Sequence, residues 1–124
     1  MPEFEKLAAW QKAHQLALDA YRLTKNFPRD ERFALTDQIR RCAASIPTNV
    51  AEGHGRLSDN EFAYFLRVAL GSAAELQSLM LLARDLGYVS GETLCDFWPQ
   101  VAETIRMLKG LLHRVEEDID NAGG

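Results

Sequence analysis

Cysteine is scarce in this 124-residue chain, and the two present, Cys42 and Cys95, lie far apart and in no CxxC pattern. A disulfide framework and a zinc knuckle are therefore not expected, and a reducing cytoplasm is the natural setting. Histidine is nearly as rare. The residues three before His14, His54 and His113 are Gln11, Ala51 and Gly110, so the Glu-x-x-His pairs of di-iron bundles are missing, as is any His-x-x-x-His pair. No metal and no cofactor is expected. Gly53-His54-Gly55 is too short to cradle a phosphate and reads as a glycine-based helix stop. Strand signals are nearly absent. The first six residues, Met1 to Lys6, are mixed in charge and lack the apolar core and cleavage site of a leader. Apolar runs fall short of a membrane span, so no membrane is expected, and with no catalytic constellation no small-molecule substrate is inferred.

Neither charge dominates. Fourteen basic residues stand against 18 acidic ones, a net charge of −4, whereas a basic domain is the usual footprint of a nucleic-acid binder. Apolar residues make up 47%, enough to exclude a disordered chain. At this length one domain, residues 1–124, is expected.

Helical periodicity fills the chain. In residues 5–26, Leu7, Trp10, Ala13, Ala17, Ala20 and Thr24 form one apolar stripe, with Leu16 and Tyr21 beside it. The segment ends before Pro28. A second helix, residues 30–52, is expected to start at Asp30 with Glu31 in its first turn, burying Leu35, Ile39, Cys42, Ala43, Ile46 and Val50. Pro47 falls inside it and either bends or ends it. The third, residues 58–86, opens on a Ser58/Glu61 capping box, buries Phe62, Phe65, Ala69, Ala73, Leu76, Met80 and Ala83, and stops at Gly87. Its middle, Gly71-Ser72-Ala73-Ala74, is small enough for close helix approach. The fourth, residues 91–120, repeats Leu94, Trp98, Val101, Ile105, Leu108, Leu112, Val115 and Ile119 at steps of four and three, with Pro99 near its start and a frayed tail from Asn121 to Gly124. Short connections between long helices imply an all-α, up-down-up-down antiparallel four-helix bundle.

No catalytic constellation stands out. Both cysteines fall among core-periodic positions, where a buried thiol is inert. Arg106 and His113, seven residues apart and so within about 20° around the helix axis, resemble the pair of HEPN-type ribonucleases, with histidine as acid/base and arginine stabilising phosphate charge. Met107 departs from the polar residue usual there, any helix rich in polar residues offers such a pair by chance, and an exposed solvated face is the preferred reading. On the second helix, Gln38, Arg41, Ser45, Asn49 and Glu52 share a sector of about 80°. That polar row is either a recognition or subunit-contact face, or part of an internal network reaching Ser72 and Glu75. Basic residues gather between 22 and 56. Arg22, Lys25, Arg29, Arg40, Arg41 and Arg56 are the candidate nucleic-acid contacts, while Glu116, Glu117, Asp118 and Asp120 make the C-terminal end acidic.

The run Gln38-Ile39-Arg40-Arg41-Cys42-Ala43-Ala44-Ser45-Ile46-Pro47-Thr48-Asn49-Val50-Ala51-Glu52-Gly53 resembles the signature of the four-helix-bundle proteins encoded in 23S rRNA intervening sequences. Gly55-Arg56, Glu61-Phe62, Ala69 and Gly71 to Leu76 continue the likeness, and Trp10, Ala13, Tyr21, Phe27-Pro28 and Glu31 precede it. That family is similar to the accessory variability determinant protein of diversity-generating retroelements, a homopentameric barrel that binds nucleic acid and a reverse transcriptase. The resemblance implies a ring-like homopentamer, with the polar row and the small-residue stretch as interface material. Charge is the departure, since the accessory protein is strongly basic and this chain has a pI near 5.3. The function expected is a non-enzymatic, homo-oligomeric binding protein whose partner is RNA or an RNA-processing protein. The alternatives are an acidic protein–protein adaptor or the HEPN-like ribonuclease.

Overall fold

The computed structural model describes residues 1–123. A 3-10 turn, Glu3–Lys6, precedes four α-helices: α1 Ala8–Thr24, α2 Leu35–His54, α3 Asp59–Asp85 and α4 Gly91–Gly123. Among the described residues there is no strand. Contacts run from α1 to α2, α2 to α3, α3 to α4 and α4 back to α1, and across neither diagonal. Thr93 and Asp96 near the start of α4 face Asp19 and Arg22 near the end of α1, and Arg67 early in α3 pairs with Glu116 late in α4. The four helices are thus antiparallel neighbours round a square, as short connections dictate.

Alanines let these helices close in. Ala9, Ala13, Ala17 and Ala20 line the inner face of α1, and Ala63, Ala69, Ala73 and Ala83 that of α3. Leu16, Ile39, Ile46, Leu66, Leu76, Met80, Leu94 and Leu108 fill the space between them. The ends are fixed by local chemistry. Ser58 Oγ accepts from the Glu61 N–H at 3.2 Å, and Ser90 Oγ from the Thr93 N–H at 3.0 Å. At the end of α3, Gly87 takes φ 82°; its N–H donates to the Arg84 carbonyl and that of Tyr88 to Ala83, each at 2.9 Å. This is a Schellman closure, and glycine alone adopts that φ without penalty.

Four expectations shift. Residues 5–26 are not one helix, because Leu7 is extended and separates the 3-10 turn from α1. The second helix does not begin at Asp30. Residues 29–31 form a 3-10 turn, Ala34 leaves helical geometry at φ −124°, ψ −106°, and α2 starts at Leu35. Glu31 is drawn elsewhere: Tyr88 donates to its Oε2 at 2.7 Å and the Leu35 N–H to its Oε1 at 3.4 Å, tying the start of α2 to the start of α4. In α4 the buried face is turned by about one residue. Phe97, Thr104 and Leu111 join Leu94, Val101, Leu108 and Val115 inside, while Trp98, Ile105, Leu112 and Ile119 are half-buried. Thr104 can lie inside because its hydroxyl donates to the Gln100 carbonyl at 2.8 Å. The same rotation leaves Cys95 exposed. Finally, α4 runs on through Gly123, past the expected fraying; Gly124 lies outside the described residues.

Both internal prolines are carried within their helices, Pro47 in α2 and Pro99 in α4. By length and composition alone, α3 is the one described helix long and apolar enough to cross a membrane, a test that the core helix of a soluble protein also passes. Only 28% of that apolar window is buried in the bundle. Thr36 Oγ1 is the one buried side-chain polar atom without a partner among the described residues. Thr36→Val is therefore expected to raise the unfolding free energy by about 1 kcal/mol, since an unpaired buried hydroxyl is a cost that a methyl of the same shape removes. Urea unfolding of the variant measures it, and a loss of stability would show that the hydroxyl has a partner.

Candidate interaction surface

The polar row of α2 divides in two. Its inner half is a network with α3. The Ser45 hydroxyl donates to the Cys42 carbonyl at 2.7 Å and lies 2.7 Å from Ser72 Oγ, whose own proton can close that bond. Asn49 Nδ2 donates to the Ser45 carbonyl at 2.7 Å, and the Cys42 thiol to the Ser72 carbonyl at 3.0 Å. The outer half is solvated. Arg41 pairs with Asp37 at 2.9 Å and Glu52 with Arg56 at 3.0 Å, each within α2 or just past its end, and Gln38 is exposed. Exposed pairs of this kind contribute little stability.

Burial, with the carboxylate of Glu75 beside it, pushes the Cys42 thiol up to about 12. In the native protein, thiol reagents should modify Cys95 and spare Cys42 until the chain unfolds. The native thiol holds its proton longer than the unfolded one, whose ordinary value is 9.0. This contribution to stability is complete below pH 9 and is lost as pH rises from there toward 12. Modification of both cysteines at equal rates in the folded protein would contradict the burial of Cys42.

The six candidate nucleic-acid contacts do not form one patch. Arg22 pairs with Asp19 at 3.1 Å, while Arg41 and Arg56 are paired as above. Arg56 also lies over the Phe65 ring at 5.1 Å, at the opposite end of α2 from the others. Arg40 turns inward. Its Nε donates to Thr24 Oγ1 at 2.8 Å, Nη2 reaches the Tyr21 carbonyl at 3.4 Å, and the guanidinium lies 5.0 Å from the Tyr21 ring centroid. A cation there closes the carbonyl end of α1, the favourable polarity for a helix C-terminus. Arg40→Ala should therefore cost about 1.5 kcal/mol in urea unfolding, as for a lost hydrogen bond from a charged donor. A variant as stable as the parent would return Arg40 to the free surface cations.

Lys25 and Arg29 are what remains of the six. Both are exposed at the α1–α2 connection, and Arg32 joins them. Among the described residues, none of the three has a carboxylate within ion-pair distance. Beside them lies Phe33, 84% exposed, with the Arg32 guanidinium 4.8 Å from its ring centroid. Phe33 is absent from the candidates drawn from the sequence, although one signal was available: it is an aromatic among charged residues, off the apolar stripe of α2.

A second surface lies along the outside of α3. From Val68 to Ala83 there is a single charge, Glu75. Tyr64, Gly71, Ala74, Ser78, Leu82 and Leu86 are exposed there, Leu82 at 48% and Leu86 at 50%. On the far side of the bundle, His14, Ala17, Leu18, Tyr21, Ala44, Pro47 and Thr48 line a mostly apolar groove of about 300 Å³ between α1 and α2. A Cβ added to Gly71 would meet nothing within 4 Å, so the small-residue stretch is not used for packing inside the bundle at that residue.

Arg106 and His113 both point outward and are about 10 Å apart along α4. Each is held by a carboxylate one turn away. Arg106 Nε donates to Glu103 at 2.8 Å, which lowers the Glu103 titration and raises that of Arg106, and His113 Nε2 lies 2.9 Å from Glu117. Among the described residues no group of three or more His, Cys, Asp or Glu side chains is placed to hold a metal.

The fold is similar to that of a protein of unknown function from the S23 ribosomal protein family of Bacteroides thetaiotaomicron, solved by crystallography at 1.70 Å resolution. The TM-score is 0.75 at 22% identity, over 85% of this chain and 98% of that one. A comparison with curated proteins finds none that matches. The model of the 23S rRNA-intervening sequence protein family matches residues 5–110, which takes in all of α1, α2 and α3 and the first part of α4, and the chain belongs to that family.

Proposed function

We propose that this protein is a non-enzymatic, cytoplasmic binding protein that works as a homo-oligomer, a ring-like pentamer, and contacts RNA or an RNA-processing protein. The observation that carries this is the outer face of α3, whose one charge is the exposed Glu75. A helix that presents Gly71, Ala74 and Ser78 flanked by exposed leucines, with one charge in sixteen residues, has the composition of a helix meant to be covered. The apolar groove across the bundle supplies a different surface for it to meet. Two unlike surfaces on one chain suit a head-to-tail contact, the kind that forms a ring where the rotation between copies closes. Cys95, a free and exposed thiol, suits a reducing compartment.

RNA is favoured as partner by the family and by the three unpaired cations at the α1–α2 end. The net charge of −4 per chain speaks for the protein adaptor instead. Binding of a structured RNA to the assembled protein across a salt series separates the two. A steep fall of affinity with salt is expected for RNA. No binding at low salt would leave the adaptor. The ribonuclease alternative is tested in the same samples, because intact RNA after prolonged incubation, unchanged by His113→Ala, is the result a non-enzymatic protein gives.

A further inference from the structure

The α1–α2 connection combines three features that are not found together elsewhere among the described residues. Lys25, Arg29 and Arg32 are exposed cations with no carboxylate at ion-pair distance. Asp30 and Glu31 share the segment, but Glu31 is already engaged by Tyr88 and the Leu35 N–H. Phe33 is 84% exposed and has a guanidinium on one side of its ring, so most of the ring is open to a second planar group. Lastly, the chain enters α2 here through Ala34, which offers no side-chain cap, so Glu31, accepting from the Leu35 N–H, is the one carboxylate bonded at this positive helix end.

An exposed aromatic ring gains free energy when a partner removes it from water. The chemistry around Phe33 narrows what that is. A purely apolar partner would leave three cations unmatched, and an acidic peptide supplies a flat counterpart only where it also carries an aromatic. A nucleotide chain answers both, with phosphates spaced along it and bases whose faces stack on aromatics and guanidinium planes. The base must be unpaired, because a duplex keeps its faces stacked inside.

We infer that the α1–α2 connection is a contact site for single-stranded RNA, in which Phe33 stacks on an unpaired base while Lys25, Arg29 and Arg32 hold the flanking phosphates. This rests on the RNA reading under Proposed function and localises it. It also replaces most of the cations that the sequence singles out: Arg22, Arg41 and Arg56 are paired, and Arg40 closes α1.

The test is fluorescence anisotropy of an end-labelled oligoadenylate of about twelve nucleotides, within the span such surfaces cover. It compares the assembled parent protein with Phe33→Ala, Phe33→Trp, the double variant Arg29→Ala/Arg32→Ala, and a control, Lys109→Ala/Arg114→Ala, at two exposed cations of α4. Phe33→Ala should weaken binding roughly tenfold at unchanged salt dependence, and Phe33→Trp should retain it. The double arginine variant should weaken binding and flatten the log–log salt slope by about 1.4, at about 0.7 per phosphate on a single strand. The control should match the parent. If the parent binds and Phe33→Ala and the double arginine variant bind equally well, the site is elsewhere and this inference fails while the RNA reading stands. If the parent does not bind at low salt, both fail. If Phe33→Ala loses its assembled mass in light scattering, Phe33 is a subunit contact and the inference is overturned.

Discussion

Gly53→Val will destabilise the protein by about 3 kcal/mol or more, and Gly53→Ala by about 2 kcal/mol, although both residues are better helix formers than glycine. Gly53 lies inside α2, where α2 and α3 first converge. A Cβ placed on it would sit 2.7 Å from Phe65 Cβ, 3.1 Å from Phe62 Cδ1 and 3.4 Å from the Phe62 carbonyl oxygen. The Phe62 ring edge can swing aside. Phe65 Cβ is anchored to the backbone of α3, so relief there requires the helices to part, and interiors packed as closely as this one resist that. The contact is reinforced on either side by His54 edge-on to Phe62 and by Arg56 over Phe65. Gly110→Ala is the control. Gly110 sits exposed in α4 with nothing within 4 Å of its Cβ position, so alanine should stabilise by up to about 1 kcal/mol. Urea unfolding gives both numbers. Equal and favourable effects at the two positions would mean that α2 and α3 are not held together as described.

Leu82→Glu will break the assembly while leaving the subunit folded. Leu82 is 48% exposed on α3 and takes no part in the buried core, so a carboxylate is tolerated in the isolated chain but not in a covered apolar face. Leu18→Glu, at the groove between α1 and α2, should do the same from the other side. A head-to-tail ring makes a further demand. Each variant keeps one working surface, so an equimolar mixture should form dimers, joining the α3 face of the Leu18→Glu chain to the groove of the Leu82→Glu chain. If like surfaces meet instead, each variant alone will dimerise through the surface it keeps, and mixing will add nothing. Far-UV circular dichroism of each variant guards against simple unfolding.

Much of the fold can be read from the order of residues, because it is written locally. Ser58 with Glu61 starts α3, and Gly87 ends it through the one positive φ among the described residues. Heptad spacing marks α4 as a seam, yet it selects Ile105 over Thr104 because hydrophobicity does not reveal that a threonine hydroxyl can satisfy itself on the preceding turn. The start of α2 escapes local patterns for a different reason. Glu31 looks like a first-turn carboxylate until Tyr88, 57 residues away, claims it, and no neighbouring residue carries that information.

The candidate surface is less legible. A count of cations between residues 22 and 56 does not tell which are already engaged. Arg40 closing α1 and Arg41 pairing with Asp37 are adjacent in sequence but on different sides of the helix, and only Lys25 and Arg29 of the six candidates remain uncommitted. Gly53 reads as a helix stop in the sequence, whereas its role is close approach; Gly55, at the C-cap, keeps φ −76° and needs no glycine conformation. Glycine's two uses, positive φ and missing Cβ, look the same in a sequence.

The most direct test is the mass of the unmodified protein by light scattering at micromolar concentration. Five copies of the 14.0 kDa chain should give about 70 kDa, unchanged by moderate salt because the contact is apolar. A monomer would contradict the assembly and leave the sparsely charged face of α3 to some other partner.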